Sequence, residues 1–204
     1  MLDTKNVTPE FIRGLSYPDF VGLINQWNTP PGSYTTLSKL AAFSRMDEDS
    51  HLLEVGCSTG FSSRELSVIS HCSGIGFDLS ENSIEMANYN KKRYSPEIGI
   101  SYEIADGYSF KPQDKFTHIM VGGNLTFFSD PEKMLARCIE MLKDGGYLLA
   151  TPYYGTQPIP QELAQRMHDT LGISLKAFSS FAYKEIMKLY NKFEILYEDR
   201  NTLV

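Results

Sequence analysis

Three acidic residues in the first two-thirds of the chain follow short apolar runs, and each stands next to a turn that contains glycine or serine. Glu54 opens the stretch Glu-Val-Gly-Cys-Ser-Thr-Gly at residues 54–60, while Asp78 and Asp106 end two later runs. A carboxylate at the tip of a strand can hydrogen-bond a ribose diol, as in nucleotide-binding folds. Such a carboxylate can also accept a hydrogen bond from an exocyclic amine such as that of adenine. These residues therefore predict a site for a ligand with a nucleoside part.

The elements that position Glu54 are a strand over residues 51–55 and a helix over residues 61–70. Gly56 and Gly60 lie between them, where glycine lets the backbone turn sharply and a ligand approach closely. The unpaired N–H groups of the helix point into the turn. The G-x-x-x-G spacing differs from the G-x-G-x-x-G of a pyrophosphate site, and no Lys-Ser or Lys-Thr pair follows as in a P-loop. A purely structural strand-to-helix turn is the alternative.

Asp78 ends a second predicted strand, in the stretch Gly-Ile-Gly-Phe-Asp-Leu-Ser of residues 74–80. Its carboxylate is placed to hydrogen-bond a ribose diol. Ser80 is a suitable N-cap for a helix over residues 81–94, with Ile84, Ala87 and Tyr94 on one face. The alternative is that Asp78 only caps this helix.

Three further stretches complete the pattern. Residues 100–107 predict a third strand that ends at Asp106 and Gly107, and residues 116–124 predict a fourth strand that ends in Gly122, Gly123 and Asn124. Over residues 142–150, a helix is predicted to end at the pair Gly145-Gly146, with a strand starting at once.

Together these motifs resemble the class I S-adenosylmethionine-dependent methyltransferases, in particular the group that includes the ubiquinone/menaquinone-type and many small-molecule enzymes. The resemblance covers roughly residues 50–151, about half of the chain. The matching motifs, in order, are Glu54-x-Gly56-x-x-x-Gly60, Gly76-Phe77-Asp78-Leu79-Ser80, Ala105-Asp106-Gly107, the strand through Val121-Gly122-Gly123-Asn124, and Leu142-Lys143-x-Gly145-Gly146.

The resemblance implies an α/β, Rossmann-like, doubly wound and mostly parallel sheet that is flanked by helices. It also implies S-adenosylmethionine as cofactor and S-adenosylhomocysteine as product. Glu54, Gly56 and Gly60 would surround the methionine part, Asp78 would bind the ribose hydroxyls, and Asp106 would hold the adenine edge. The expected cofactor-binding residues are Glu54, Gly56, Cys57, Ser58, Gly60, Asp78, Leu79, Ala105, Asp106, Gly107 and Gly122.

The chain divides into an N-terminal helical cover or lid, residues 1–49, and a methyltransferase core, residues 50–204. In the first region, the spacing of Phe20, Leu23, Ile24 and Trp27 predicts an amphipathic helix, which residues 29–32 break. A second helix is predicted over residues 33–46 with Leu37, Leu40 and Ala41 facing inward. These helices either close over the ligand or only cover the edge of the sheet.

The C-terminal region predicts helices at about residues 160–170 and 179–191, the second with Ala182, Ile186, Leu189 and Phe193 on one face. Residues 193–197 alternate in hydrophobicity as a sixth strand does. The related enzymes usually add a seventh strand, for which residues 201–204 are too few. Either a longer chain continues, or the sheet is one strand short.

The sequence assigns no catalytic base. The methyl group of a sulfonium is already activated, so its transfer mainly requires orientation and the exclusion of water. His118 lies within a predicted strand and is expected to be buried and satisfied. The candidates for the substrate pocket are Trp27, Tyr34, Asn124, Phe127, Tyr153 and Tyr154.

The composition argues against several other functions. The net charge is −6, which disfavours nucleic acid as a partner. The three cysteines show no metal-binding spacing, so no metal site is predicted. No signal segment or membrane-spanning run is present in the sequence, which predicts a cytoplasmic protein. The acceptor is expected to be a small molecule, methylated on N, O or C. A protein or RNA methyltransferase, a non-catalytic partner domain that binds S-adenosylmethionine, and an NAD-dependent dehydrogenase remain as alternatives.

Overall fold

A five-stranded parallel sheet forms the centre of the molecule. The computed structural model describes residues 7–172 and 182–201. The sheet has the order β3-β2-β1-β4-β5, and every neighbouring pair is parallel. The strands are β1 (His51–Val55), β2 (Ser73–Asp78), β3 (Gly99–Ile104), β4 (Phe116–Met120) and β5 (Leu142–Leu149). This confirms the predicted doubly wound sheet, in which the order reverses between β1 and β4.

Helices cover both faces of this sheet. They are α1 (Pro9–Arg13), α2 (Tyr17–Leu23), α3 (Ser33–Phe43), α4 (Phe61–Ser70), α5 (Glu81–Tyr94), α6 (Pro131–Met141), α7 (Gln161–Leu171) and α8 (Tyr183–Leu189), with a 3₁₀ turn at Leu125–Phe127. The first core lies between the sheet and helices α3, α4 and α5. The second lies between the sheet and helices α6 and α8. Because successive strand residues point to opposite faces, Leu52 enters the first core and Leu53 the second.

The N-terminal helices differ in part from their prediction. Helix α2 ends at Leu23, and Asn25 follows with a positive φ of 49°. The predicted continuation through Trp27 is therefore wrong, and Ile24, predicted to face inward, is 49% exposed. The chain leaves the helix here because Gln26 and Asn28 hydrogen-bond the turn after β1.

The second N-terminal helix is confirmed. Helix α3 begins at Ser33 and ends at Phe43, three residues before the predicted end. Leu37 and Ala41 are buried in the first core, and Leu40 packs against it. The segment therefore shares its core with the sheet.

The sequence predicted that a helix ends at the glycine pair of the fifth motif, and this prediction is wrong. Helix α6 ends at Met141, and β5 begins at the next residue. Gly145 and Gly146 lie inside β5, where the register against β4 shifts. Gly145 has φ of +74° at this irregularity, a conformation that glycine adopts more easily than any other residue.

The C-terminal elements are confirmed in part. Helix α7 matches its prediction, and α8 forms the described part of the next helix, while residues 179–181 of that prediction lie outside the described residues. The predicted sixth strand over residues 193–197 is wrong. Tyr197 instead stacks on Phe43 at a centroid distance of 4.0 Å, and Asp199 pairs with Lys39 at 2.7 Å. This stretch therefore packs on α3 without pairing to β5.

The predicted shared face of Ile84, Ala87 and Tyr94 in α5 is buried only in part. Tyr94 is exposed at the end of α5, while Ile84 and Ala87 of the same helix are buried.

In the part of the chain that the structure describes, no helix is long and apolar enough to cross a membrane.

Candidate functional site

The turn between β1 and α4 lies at the carboxyl edge of the sheet and requires its two glycines. Gly56 has φ of +66° and Gly60 has φ of +78°. A Cβ atom on Gly60 would lie 2.7–2.9 Å from the ring of Tyr102, and one on Gly56 would lie 2.3 Å from Asn124 Nδ2. The Tyr102 hydroxyl donates a hydrogen bond to the Gly60 carbonyl at 3.0 Å. Both the backbone conformation and the close neighbours therefore exclude a side chain here.

Asp78 connects the end of β2 to this turn. Its Oδ2 accepts a hydrogen bond from the Ser58 N–H at 2.9 Å, and its Oδ1 accepts one from the Ser80 N–H at 3.0 Å. Ser80 caps α5 by accepting from the Ser83 N–H, as predicted. Burial raises the pKa of Asp78, and the two N–H donors oppose that rise. The carboxylate therefore stands beside the glycine turn and also supports the start of α5.

Apolar surface lies next to Asp78. Leu79 is 68% exposed and Ile104, at the end of neighbouring β3, is 55% exposed. Asp106 is exposed, and its Oδ1 accepts a hydrogen bond from the Tyr108 N–H at 3.0 Å. Gly107 is buried, and a Cβ atom there would lie 2.9 Å from the sulfur of Met134. The ends of β2 and β3 thus present two exposed aliphatic side chains and a carboxylate side by side.

Glu54 is buried, with 6% of its surface exposed. Its Oε2 accepts a hydrogen bond from the Ser63 N–H at 2.9 Å, in the first turn of α4. Burial raises the pKa of Glu54 to about 7, and the hydrogen bonds from Ser63 limit the rise. Burial likewise raises the pKa of the Cys57 thiol. In this structure Glu54 holds α4 to β1, and its contact with a cofactor stays a prediction.

The end of β4 faces the glycine turn across the point where the strand order reverses. Asn124 Nδ2 donates hydrogen bonds to the carbonyl oxygens of Val55 at 2.6 Å and Gly56 at 3.1 Å. Gly122 has φ of +35°, and no atom lies within 4 Å of the position that a Cβ would take. The Gly122 carbonyl accepts from the Thr151 N–H at 3.0 Å. Open α/β sheets bind ligands in the crevice at this reversal point.

The N-terminal segment lies directly on the glycine turn. Thr59 Oγ1 donates to the Gln26 carbonyl at 2.8 Å, and Asn28 Nδ2 donates to Ser58 Oγ at 3.0 Å. The rings of Trp27 and Tyr34 pack against Phe61 at centroid distances of 5.7 and 5.4 Å. The Trp27 ring also lies 4.6 Å from the buried guanidinium of Arg64. Both aromatic residues therefore contact α4, and a role in a substrate pocket stays a prediction for them.

The two tyrosines after β5 face different neighbours. The ring of Tyr153 lies against Gly123, where a Cβ atom would be 2.6 Å from Cε2. Burial, followed by the influence of Tyr17, raises the pKa of Tyr153. Tyr154 instead packs edge-on against Tyr183 at 5.3 Å. Tyr153 thus stands at the end of β4, while Tyr154 faces α8. Phe127 is exposed in the 3₁₀ turn that follows Asn124.

Sequence reasoning missed two residues that α2 brings to this edge, Tyr17 and Asp19. Asp19 Oδ1 accepts a hydrogen bond from Ser80 Oγ at 2.6 Å, which brings α2 to the start of α5. Tyr17 opens the same helix, and its electrostatic influence contributes to the raised pKa of Tyr153. No motif marks these positions, because they reach the site through the packing of α2 on α5.

His118 has a structural role, as predicted. It is buried, its Nδ1 lies 2.8 Å from Thr117 Oγ1, and its Nε2 lies 3.1 Å from the Ser44 carbonyl oxygen. Burial lowers its pKa. Among residues 7–172 and 182–201, no three or more His, Cys, Asp or Glu side chains are grouped so that they could hold a metal ion.

Replacing Glu54 with glutamine is expected to stabilise the protein above neutral pH. The carboxyl ionises near 4.5 in the unfolded chain and at about 7 in the fold. The stability it contributes is therefore fully present below pH 4.5 and is lost as the pH rises through 7, a change of about 3 kcal/mol. Glu54→Gln stays neutral and keeps an oxygen for the Ser63 N–H. Denaturant unfolding at pH 5 and pH 8 should give a higher free energy of unfolding for the variant than for wild type only at pH 8. Glu81→Gln, which alters an exposed carboxylate in α5, is the control. If the free energy of unfolding of Glu54→Gln and of wild type changed equally with pH, the raised pKa assigned to Glu54 would be wrong.

Comparison with known proteins agrees with this architecture. Residues 52–146 match the family model described as a methyltransferase domain. A probable cobalt-precorrin-6B C(15)-methyltransferase (decarboxylating) of Thermoplasma volcanium is 31% identical over 97 residues, which is 47% of this chain and 47% of the relative. A sarcosine/dimethylglycine N-methyltransferase of Halorhodospira halochloris is 24% identical over 187 residues, 88% of this chain and 65% of the relative. The chain thus spans about half to two-thirds of the length of these curated relatives.

A solved structure shares the fold over most of the chain. Phosphoethanolamine N-methyltransferase 2 of Haemonchus contortus, in complex with phosphomonomethylethanolamine and S-adenosylhomocysteine, superposes with a TM-score of 0.71. The two are 20% identical, and the match covers 92% of this chain and 44% of the other. With the parallel sheet, these comparisons show that residues 52–146 are similar to a methyltransferase domain and that the chain shares the fold of a methyltransferase solved with S-adenosylhomocysteine.

Proposed function

We propose that this protein binds S-adenosylmethionine and transfers its methyl group to a small-molecule acceptor. The observation that carries the proposal is the point at the carboxyl edge of the sheet where the strand order reverses. The glycine turn and Asp78 lie after β1 and β2 on one side of this point, and Gly122 and Asn124 lie after β4 on the other. A crevice at such a reversal point is where open α/β sheets bind nucleotides and related ligands.

The residues at this edge fit such a cofactor. Gly122 leaves open space at the end of β4, and the exposed side chains of Leu79 and Ile104 offer an apolar surface of the kind that an adenine ring covers. Asp78 would hold the ribose, Asp106 the adenine edge, and the residues of the glycine turn the methionine part. The relative from Haemonchus contortus, whose structure contains S-adenosylhomocysteine, supports the choice of cofactor.

The bound cofactor would supply a methyl group on a sulfonium, which is already activated for in-line transfer. The chain's own residues then have to orient the acceptor and exclude water. The hydroxyl of Tyr153 is protonated at neutral pH, as for any tyrosine, and can donate a hydrogen bond to an acceptor. No residue at the edge is assigned as a base.

A small acceptor is favoured over a macromolecule. The two curated relatives are named for a precorrin and for sarcosine and dimethylglycine. The net charge of −6 offers no broad attraction to RNA. A protein acceptor and a non-catalytic partner domain stay as the alternatives from the sequence. The division of the chain at residue 49 and the cytoplasmic location also stay predictions from the sequence.

Incubation with methyl-labelled S-adenosylmethionine and a fractionated metabolite extract tests this proposal. We expect the label to appear in one low-molecular-weight fraction with wild type and to be strongly reduced with Asp78→Ala. Label that enters only macromolecules would contradict the small-molecule acceptor. No transfer to any fraction, despite cofactor binding, would favour the partner domain.

A further inference from the structure

A buried side-chain amide of α5 joins two segments at the glycine turn. Asn90 is 0% exposed. Its Nδ2 donates to Asn25 Oδ1 at 2.8 Å and to the Thr59 carbonyl oxygen at 3.1 Å, and its Oδ1 accepts from Asn25 Nδ2 at 3.1 Å. One side chain of α5 therefore holds both the glycine turn and the segment that follows α2.

The backbone after α2 is shaped for this contact. Asn25 has φ of +49°, in the left-handed region that asparagine adopts more readily than most residues. The next residue, Gln26, accepts from Thr59 Oγ1 through its carbonyl oxygen at 2.8 Å, and Thr59 is itself 0% exposed. The bonds between Asn25 and Asn90, Asn90 and Thr59, and Thr59 and Gln26 thus form a closed cycle. Moving one member would leave buried polar groups of the others without partners, which is costly.

We infer that Asn90 is a positioning residue that couples cofactor binding at the glycine turn to the docking of residues 24–28. The inference rests on the proposed function and adds to it a residue outside the turn itself. Asn90 holds the Thr59 carbonyl, and the preceding residue, Ser58, donates its N–H to Asp78. A turn that is already fixed in the free protein spares the ligand the free energy of ordering it.

Trp27 provides a reporter for the docking of residues 24–28. It is the only tryptophan of the chain. Its ring lies 5.3 Å from the ring of Tyr94, and the guanidinium carbon of buried Arg64 lies 4.6 Å from the Trp27 ring centroid. Release of the segment would expose Trp27 to water and shift its emission to longer wavelengths. Because coupling is reciprocal, a ligand at the glycine turn favours docking by the same factor by which docking favours the ligand.

The test combines calorimetric titration with S-adenosylhomocysteine and the emission of Trp27 in the whole chain. In Asn90→Ala, the affinity should fall by roughly 5- to 150-fold, the usual range for a coupling between sites. Without ligand, the emission of this variant should lie at longer wavelengths than that of wild type, and saturating S-adenosylhomocysteine should return it to the wild-type position.

A second variant isolates the paired amides. Asn25→Gly removes one amide and keeps a residue that adopts positive φ easily. It should lose less affinity than Asn90→Ala, because the bond from Asn90 to Thr59 remains. If the two amides act as a pair, the double variant should match Asn90→Ala to within about twofold, since interacting residues are not additive.

Ser83→Ala is the matched control. The buried Ser83 hydroxyl of α5 donates to the Pro18 carbonyl oxygen at 2.9 Å, a bond to the N-terminal segment that does not involve the glycine turn. This variant should have a lower melting temperature, while its affinity and its Trp27 emission stay as in wild type. All titrations are made below the melting temperature of every variant.

Wild-type affinity in folded Asn90→Ala would overturn the inference and leave the proposed function intact. Additive losses in the double variant would also overturn it, and so would an equal loss in Ser83→Ala, which would indicate a general loosening of α5. If Asn90→Ala does not fold, Asn25→Gly decides, because wild-type affinity and emission in that variant would overturn the inference. Failure of wild type to bind S-adenosylhomocysteine would instead overturn the proposed function.

Discussion

Replacing Asp78 with alanine is expected to weaken the binding of S-adenosylmethionine and S-adenosylhomocysteine by about 10- to 150-fold. If the carboxylate holds the ribose hydroxyls, the change removes charge-assisted hydrogen bonds worth roughly 1.5–3 kcal/mol, and 1.4 kcal/mol corresponds to tenfold. The structure adds a second effect, because the same carboxylate accepts from the N–H groups of Ser58 and Ser80. Asp78→Ala should therefore also lower the melting temperature, as the capping alternative drawn from the sequence implies.

A matched variant separates these two effects. Ser80→Ala removes the cap of α5 and the bond to Asp19, at a cost of about 1 kcal/mol in stability. It leaves the Asp78 carboxylate in place, so the cofactor affinity should stay close to wild type. Melting temperature and affinity are measured on both variants. If Asp78→Ala lost only stability, as Ser80→Ala should, Asp78 would be a structural residue and the ribose assignment would be wrong.

Replacing Gly60 with alanine is expected to lower the free energy of unfolding by about 3 kcal/mol or more and to abolish tight cofactor binding. The backbone strain at φ of +78° accounts for roughly 1–3 kcal/mol. The new Cβ would also lie within 3 Å of the Tyr102 ring, which is itself held by hydrogen bonds to Gly60 and Ser63. The turn would have to move, and with it the Ser58 N–H that faces Asp78.

Gly145→Ala is the control for the backbone strain. Gly145 has a closely similar φ of +74°, but no atom lies within 4 Å of the position of its Cβ. This variant should therefore lose only the strain energy, roughly 1–3 kcal/mol as at Gly60, and should bind the cofactor as wild type does. Denaturant unfolding and calorimetry on both variants give the comparison. Equal losses in the two variants would show that the contact with Tyr102 contributes nothing.

The sequence predicted the central half of the fold because its signals there are local. Each strand is a short apolar run that ends in a glycine, an acid or an amide, and such runs can be identified without tertiary information. The parallel order then follows from the connections, so the strand ends at Gly56, Asp78 and Gly122 were predicted to share one edge, and they do.

The outer elements were harder to predict because distant contacts decide them. The spacing of Phe20, Leu23, Ile24 and Trp27 fits a helix, yet the helix ends at Leu23. The next residues bond the glycine turn instead, since the Gln26 carbonyl accepts from Thr59 Oγ1 and Asn28 Nδ2 donates to Ser58 Oγ. The alternation at residues 193–197 fits a strand, yet Tyr197 stacks on Phe43 of α3.

Within the site, residue types were predictable and their partners were not. The turn and Asp78 were identified from spacing, whereas the hydrogen bond from the Ser58 N–H to Asp78 depends on the register of β1 and β2. Glu54 was expected beside the methionine part of the ligand, and it bonds the first turn of α4 in the folded chain. Tyr17 reaches the edge only because α2 crosses α5, which no local pattern indicates.

Titration of the wild-type protein with S-adenosylhomocysteine, with NAD as the comparison ligand, tests the central claim most directly. The glycine spacing, the carboxylate of Asp78 and the open space at Gly122 predict saturable binding of S-adenosylhomocysteine and none of NAD. Binding of NAD without binding of S-adenosylhomocysteine would contradict the proposed function.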